Sequence, residues 1–311
     1  MKAADRAEVA EHAAGDASQA MNPKEIVLGR RDSTVTVFVP WDCGNNCSFC
    51  TTKNEYRGKY GSESLDEQMG KVCRSLKAVA ESGNVENVVF TGGEPFADLE
   101  RLARLVEAVP HGKKCYVNTS LHVKNLKRVA TRLESRLWDG LDGISLSCHI
   151  CKGGFFDKGI LDVARAIGET RKVRINSLVD GDEPPEVICA FCDTVLGDGG
   201  FEYMNFRGDY RNTTQNTLGS ADDGFFRTLM SIPEWKYKGF SGCLVCRTDS
   251  FKTPFGKVYY HRGVEKTSLR FGDKLVINDF VIKQDGEIRY DWDEDSVMSE
   301  GMLEALGVNG V

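Results

Sequence analysis

STVTVFVPWDCGNNCSFC, residues 33–50, joins two readings in one stretch. Residues 33–40 are rich in β-branched and aromatic side chains and end at Pro40, so they read as a buried strand that stops there. The next ten residues hold three cysteines in the spacing Cys43-x3-Cys47-x2-Cys50. Gly44 and two asparagines tolerate unusual backbone angles, which lets such a loop fold around a bound group. Three thiolates on one loop after a strand are a donor set for an iron-sulfur cluster. A zinc loop and chance spacing are the plainer alternatives; zinc usually takes four ligands in pairs.

Downstream, strand-like and helix-like segments alternate. Strands are predicted at 33–40, 85–91, 113–120, 142–147, 172–179 and 201–207. Helices are predicted at 63–82, 97–109, 126–138, 156–170 and 184–197. In the first of these, Leu65, Met69, Val72, Leu76 and Val79 form one apolar stripe. Six strands alternating with helices predict a parallel sheet with helices outside, functional residues falling at the C-terminal strand ends. The fold class is therefore α/β, a partial (β/α)6 TIM barrel with a smaller C-terminal extension rich in β-hairpins. The expected divisions are a mobile N-terminal arm at 1–30, the barrel at 31–207 and an auxiliary-cluster or substrate-capping domain at 208–311. The clearest hairpin is predicted within 275–292, turning at Asp285-Gly286.

Composition narrows the class. The 311 residues are 41% hydrophobic and 28% charged, which suits a globular protein that buries a full core. A net charge of −6 argues against a broad nucleic-acid footprint, so no duplex partner is expected. No apolar run is long enough to span a membrane, and the first residues lack the apolar core of a secretion signal. A cytoplasmic location is expected, where the eleven cysteines stay reduced and clustered ones bind metal. Lone Cys73 and Cys115, and the helical pair Cys189 and Cys192, read as core residues.

A second motif, Thr91-Gly92-Gly93-Glu94-Pro95, follows the second predicted strand. Its glycines allow close approach to the backbone, and its carboxylate can accept a hydrogen bond from an ammonium. The triplet and this turn, in this order, resemble the radical S-adenosylmethionine (SAM) superfamily; Phe49 fills the aromatic place before the last cysteine. The resemblance covers about residues 33–206. It implies a SAM-binding 4Fe-4S cluster on Cys43, Cys47 and Cys50, with the fourth iron open to SAM. It implies that Gly92, Gly93, Glu94 and Pro95 take the methionine amino group. It also implies further SAM contacts from Asn118, Ser145, Ser147 and Asn176, although family members often carry Thr-Asn-Gly where this chain has Asn118-Thr119-Ser120.

The C-terminal region resembles the auxiliary-cluster domains of the molybdenum-cofactor cyclase and related branches, through Cys243-x2-Cys246, Gly256 and His261. His261 stands where those relatives have cysteine. A second iron-sulfur cluster on Cys243, Cys246 and His261 is the expectation, with Cys148 or Cys151 as a further ligand; a zinc site is the alternative. Arg207, Asp209, Tyr210 and Arg247 are candidate substrate contacts, since arginine suits phosphate or carboxylate. The implied enzyme cleaves SAM reductively to a 5′-deoxyadenosyl radical that abstracts hydrogen from a small, nucleotide-like or phosphorylated molecule. It would draw electrons from a donor such as flavodoxin or ferredoxin and be oxygen-sensitive. A peptide-modifying maturase and a non-catalytic zinc or iron-sulfur module are the competing readings.

Overall fold

The structure is a computed structural model. It describes residues 23, 25–29, 32–45, 47, 50, 63–124, 126, 129, 136–150, 157–197, 200–208, 223–241, 248–261 and 267–309. Its strands are β1 Glu25–Leu28, β2 Ser33–Val39, β3 Val85–Gly92, β4 Lys114–Thr119, β5 Gly143–Ser147, β6 Lys172–Val179 and β7 Tyr203–Gly208. They continue as β8 Lys236–Ser241, β9 Thr248–Thr253, β10 Gly256–His261, β11 Ser268–Phe271, β12 Lys274–Ile277, β13 Phe280–Ile282 and β14 Ile288–Arg289. The helices are α1 Leu65–Glu81, α2 Leu99–Glu107, α3 Arg136–Asp139, α4 Lys158–Gly168, α5 Pro185–Leu196, α6 Gly224–Ser231 and α7 Glu300–Ala305.

Strands β2 to β7 lie side by side in chain order, every neighbouring pair parallel. These are the six strands the alternation predicts, with ends shifted by a residue or two. Of the predicted helix at 126–138, a continuous helix is described only from Arg136. Local signals explain the helix starts. Ser64 and Glu67 form a reciprocal capping box at α1, and Asp98 and Asp157 accept from the first-turn amides of α2 and α4. Helices α1, α4 and α5 pack on one face of the sheet. Val88, Phe90, Ile144, Leu146, Val173, Ile175, Met204 and Phe206 are buried beneath this layer. Each such side chain contributes roughly 1.5–3 kcal/mol by leaving water.

The sheet does not end at the sixth strand. β10 adds parallel to β7 and carries β9 and β8 with it; β13 adds parallel to β2 and carries β14, giving eleven strands. Parts of the C-terminal third thus extend the same sheet at both edges. The predicted hairpin turn occurs between β13 and β14, with Gly286 at a φ of 82°. The first residues of the 275–292 segment instead belong to β12, in a separate three-stranded sheet with β11 and β1. Within the stretch expected as a mobile arm, Glu25–Leu28 form a strand parallel to Lys274–Ile277. Its partner lies far away in the chain, so no local pattern announces it.

The turn at Gly286 seats on α1, where its carbonyl accepts from the Ser75 hydroxyl at 2.5 Å. A Cβ there would stand 2.6 Å from the Lys71 Cβ and 2.9 Å from the Lys71 carbonyl carbon, at a φ that disfavours any side chain. Gly286→Ala is expected to destabilise the protein by about 2–4 kcal/mol, measured as a lowered denaturation midpoint.

Candidate active site

The cysteine loop leaves β2 at the C-terminal end of the sheet. Cys43, Cys47 and Cys50 are all half-buried. The Cys50 amide donates to the Cys47 carbonyl at 3.3 Å. The Asn45 amide donates to Cys43 Sγ at 3.4 Å, the contact a thiolate prefers. Burial pushes the Cys43 thiol up, against that hydrogen bond, and the charges of Glu94 and Cys50 push it the same way. Among the described residues no three His, Cys, Asp or Glu side chains are gathered tightly enough to hold a metal ion. The loop supplies three sulfur donors in one short segment, which fits an iron-sulfur cluster in kind. Drawing such donors together commonly accompanies cluster binding.

The Gly-Gly-Glu-Pro turn ends β3 beside this loop. Gly92 has a φ of 108°, which glycine adopts without strain. A Cβ on Gly93 would stand 2.2 Å from the Trp41 carbonyl oxygen and 2.9 Å from the Asp42 carbonyl carbon. The bare position therefore admits the backbone just before Cys43, so the cluster loop and the turn are packed against each other. Trp41 Nε1 reinforces the contact by donating to the Glu94 carbonyl at 3.0 Å. Pro95 opens a short 3-10 turn, Pro95–Ala97, and α2 starts only after Asp98.

Glu94 is 3% exposed. Its carboxylate takes four hydrogen bonds from the protein. Oε1 accepts from Thr119 Oγ1 at 2.5 Å and from the Phe96 amide at 3.2 Å; Oε2 accepts from Ser120 Oγ at 2.7 Å and from the Ser120 amide at 2.9 Å. A carboxylate offers about four acceptor positions, so these donors fill it. Asn45 Nδ2 in turn donates to Ser120 Oγ at 3.3 Å. A continuous chain of contacts thus runs from Cys43 through Asn45 and Ser120 to Glu94, linking the ends of β2, β3 and β4. Sequence reading places Glu94 toward a ligand and passes over Thr119 and Ser120. The signal available was the pair of hydroxyls at the position where relatives often carry Asn-Gly.

The other SAM-contact candidates are on the sheet face opposite the helices. Register puts Asn118 beside Ser145, Ser145 beside Arg174 and Arg174 beside Tyr203. One step toward the C-terminal ends, Ser147, Asn176, Asn205 and Tyr259 form a second row. Asn205 Nδ2 donates to Asn176 Oδ1 at 3.3 Å. A third row holds Leu178, Arg207, His261 and Thr248. Paired residues share a face and alternate residues repeat it, so Asn118, Ser145, Ser147, Asn176, Arg207 and His261 line one polar wall. Tyr116, Arg174, Tyr203, Asn205, Tyr259 and Thr248 complete it and were not foreseen. Arg174 sits over the Tyr116 ring, 4.2 Å from its centroid, and its Nε donates to Glu202 Oε2 at 3.0 Å.

His261 is 9% exposed, and its Nδ1 is 2.9 Å from Thr248 Oγ1. Cys243, Cys246 and Arg247, as well as Phe49, Cys151, Asp209 and Tyr210, lie outside the described residues. Cys148 is in the core, and burial pushes its thiol up to about 12, which opposes the thiolate form a ligand needs. Cys115 and Cys192 are buried and Cys73 and Cys189 pack against the core, as their isolated or helical placement suggests.

His149, just beyond β5, accepts from the Leu178 amide through Nδ1 at 3.0 Å. Burial lowers its pKa to about 4. The unfolded chain takes up this proton near the ordinary value of about 6.5 and the folded chain does not, so stability falls as pH drops from about 6.5 to about 4. Loss of at most about 3 kcal/mol is expected over that window, and His149→Gln should flatten the pH dependence of the denaturation midpoint.

Comparisons with known proteins agree with this geometry. The model of a 4Fe-4S single cluster domain matches residues 29–143, a span that holds both motifs. No curated protein matches the sequence. Among solved structures the chain is similar to SuiB of Streptococcus suis, at 13% identity and TM-score 0.54, covering 88% of this chain and 64% of SuiB. SuiB bound to the precursor peptide SuiA gives 14% identity and TM-score 0.52, with 90% and 61% covered. SuiB bound to S-adenosylmethionine gives 14% and 0.51, with 84% and 58% covered. The chain thus spans about three fifths of the SuiB chain, and at this identity the likeness concerns the fold.

Together these findings give an α/β fold whose residues 29–143, the cysteine loop included, are similar to a 4Fe-4S single cluster domain. Among the described residues no helix is long and apolar enough to cross a membrane.

Proposed function

We propose that this protein is a radical SAM enzyme that cleaves SAM reductively at a cluster held by Cys43, Cys47 and Cys50, and acts on a peptide. The observation that carries the reading is the contact chain from the cysteine loop to the buried Glu94, which sets the cluster donors and the SAM turn in one rigid frame. When bound, the cofactor pair supplies one electron to the sulfonium and, from the broken C–S bond, a 5′-deoxyadenosyl radical that takes a hydrogen atom from substrate. The chain's own residues hold and orient. Asn45 favours the Cys43 thiolate, and Gly93 lets the SAM turn meet the cluster loop. Glu94, fixed by Thr119 and Ser120, sets the shape of the turn whose backbone would meet the methionine ammonium. The polar rows beginning at Asn118 and Ser147 are where adenosine and substrate would lie.

A peptide substrate is supported by the likeness to SuiB, solved with its precursor peptide, and by the breadth of the polar wall from β4 to β10. Arg207 beside His261 favours a second reading, a small phosphorylated molecule. A one-electron donor such as flavodoxin or ferredoxin and a second cluster on Cys243, Cys246 and His261 belong to the same proposal. The test is anaerobic incubation with SAM and a chemical reductant. Release of 5′-deoxyadenosine, rising on addition of a peptide that then loses hydrogen by mass, is the expected result. No 5′-deoxyadenosine from cluster-loaded protein overturns the reading, and stimulation by a phosphorylated small molecule alone replaces the peptide.

A further inference from the structure

Where the polar wall passes onto the added strands it becomes basic. Lys236 of β8 pairs in register with Lys252 of β9, and Lys252 with Lys257 of β10. All three are exposed, and none makes an ion pair among the described residues. Neighbouring strands are about 4.8 Å apart, so three ammonium groups crowd one side of the sheet. Directly opposed like charges disfavour a sheet, by roughly 0.2–1 kcal/mol for each pair. The arrangement stands in a chain whose net charge is −6. Sheet folding gains nothing from it, whereas a ligand of opposite charge would.

The row's face connects it to the site. Lys257, Tyr259 and His261 alternate along β10, as do Lys252, Ser250 and Thr248 along β9, so the lysines share the face of Arg207 and Asn176. Lys257 and His261 are four residues apart, about 13 Å along the strand. An extended peptide of a few residues spans that distance. We propose that Lys236, Lys252 and Lys257 form a recognition strip for an acidic stretch of the peptide substrate, holding it on the wall while another part reaches the cluster end. The inference rests on the peptide reading and adds the chemistry of the recognised segment. Coulomb attraction at such an exposed strip chiefly speeds association and weakens with salt.

The test uses the full chain and fluorescein-labelled octaglutamate, followed by anisotropy at low and high salt. A neutral Gly-Ser octapeptide and a single-stranded DNA 12-mer serve as comparison probes. Octaglutamate is expected to bind about tenfold more tightly than the neutral peptide and to weaken with salt. In the triple variant Lys236→Gln, Lys252→Gln, Lys257→Gln its affinity should fall about tenfold, while Lys71→Gln with Lys77→Gln on α1 leaves it unchanged. Lys252→Gln removes both repulsive pairs, so its denaturation midpoint should stay level or rise as binding falls. Unchanged binding in the triple variant, equal loss in the α1 control, equal affinity for the DNA, or a lowered midpoint in Lys252→Gln overturns the proposal. The binding measurement needs no SAM, so it can fail while 5′-deoxyadenosine release succeeds, and the reverse.

Discussion

Replacing Cys43, Cys47 and Cys50 together by alanine should abolish SAM cleavage, at least about a thousandfold, while leaving a folded chain. The three side chains sit in a loop outside the apolar core, so their loss costs little packing. The measurement is 5′-deoxyadenosine release by anaerobically loaded protein, with circular dichroism to confirm the fold. Iron and sulfide content of the same variant resolve a second question. Retention of about four irons per chain would establish a further cluster, for which Cys243, Cys246 and His261 are the proposed ligands, and none would remove it. Full activity without the three thiols would dismantle the assignment.

The next largest effect is expected at Glu94. Glu94→Gln puts an amide NH2 where an oxygen now accepts from two donors, so one pair of buried donors loses its partner. The cost is about 2–4 kcal/mol in stability. Because the Gly-Gly-Glu-Pro turn and the cysteine loop are tied through this carboxylate, the proposed SAM site should lose affinity by about tenfold or more. Ser120→Ala, which removes one donor and the link to Asn45, should give the smaller of the two effects, and Ser120→Thr should restore SAM binding. Equilibrium dialysis with SAM and thermal denaturation separate the outcomes. A Glu94→Gln variant that binds SAM as the parent does would show that the frame is unimportant.

Much of the barrel was legible because it is written in local patterns. The six central strands are short apolar runs bounded by turns, and α1 carries its apolar stripe with both halves of a capping box in sequence. Long-range pairings had no such mark. Nothing in Phe280–Ile282 says that it joins β2, or in Glu25–Leu28 that it joins β12, because register across hundreds of residues is set by packing and not by neighbours. In the site, the thiols and the Gly-Gly-Glu-Pro turn were readable as motifs. The use made of Glu94 was not, since Thr119 and Ser120 look like an ordinary polar strand end until β4 is laid beside β3. The polar wall was half visible: Asn118, Ser145, Ser147, Asn176, Arg207 and His261 were singled out one by one, and only the strand register showed them as rows.

The place of β13 has a consequence for synthesis. During translation, the strand leading into the cysteine loop emerges early and pairs with β3 on one side. Its other side has to wait for residues 280–282, more than two hundred residues later in the chain. Until then the nascent protein presents Val35 and Val37 on an open edge, prone to join its copies. A chain cut before residue 280 should therefore accumulate as aggregate instead of as a smaller sheet.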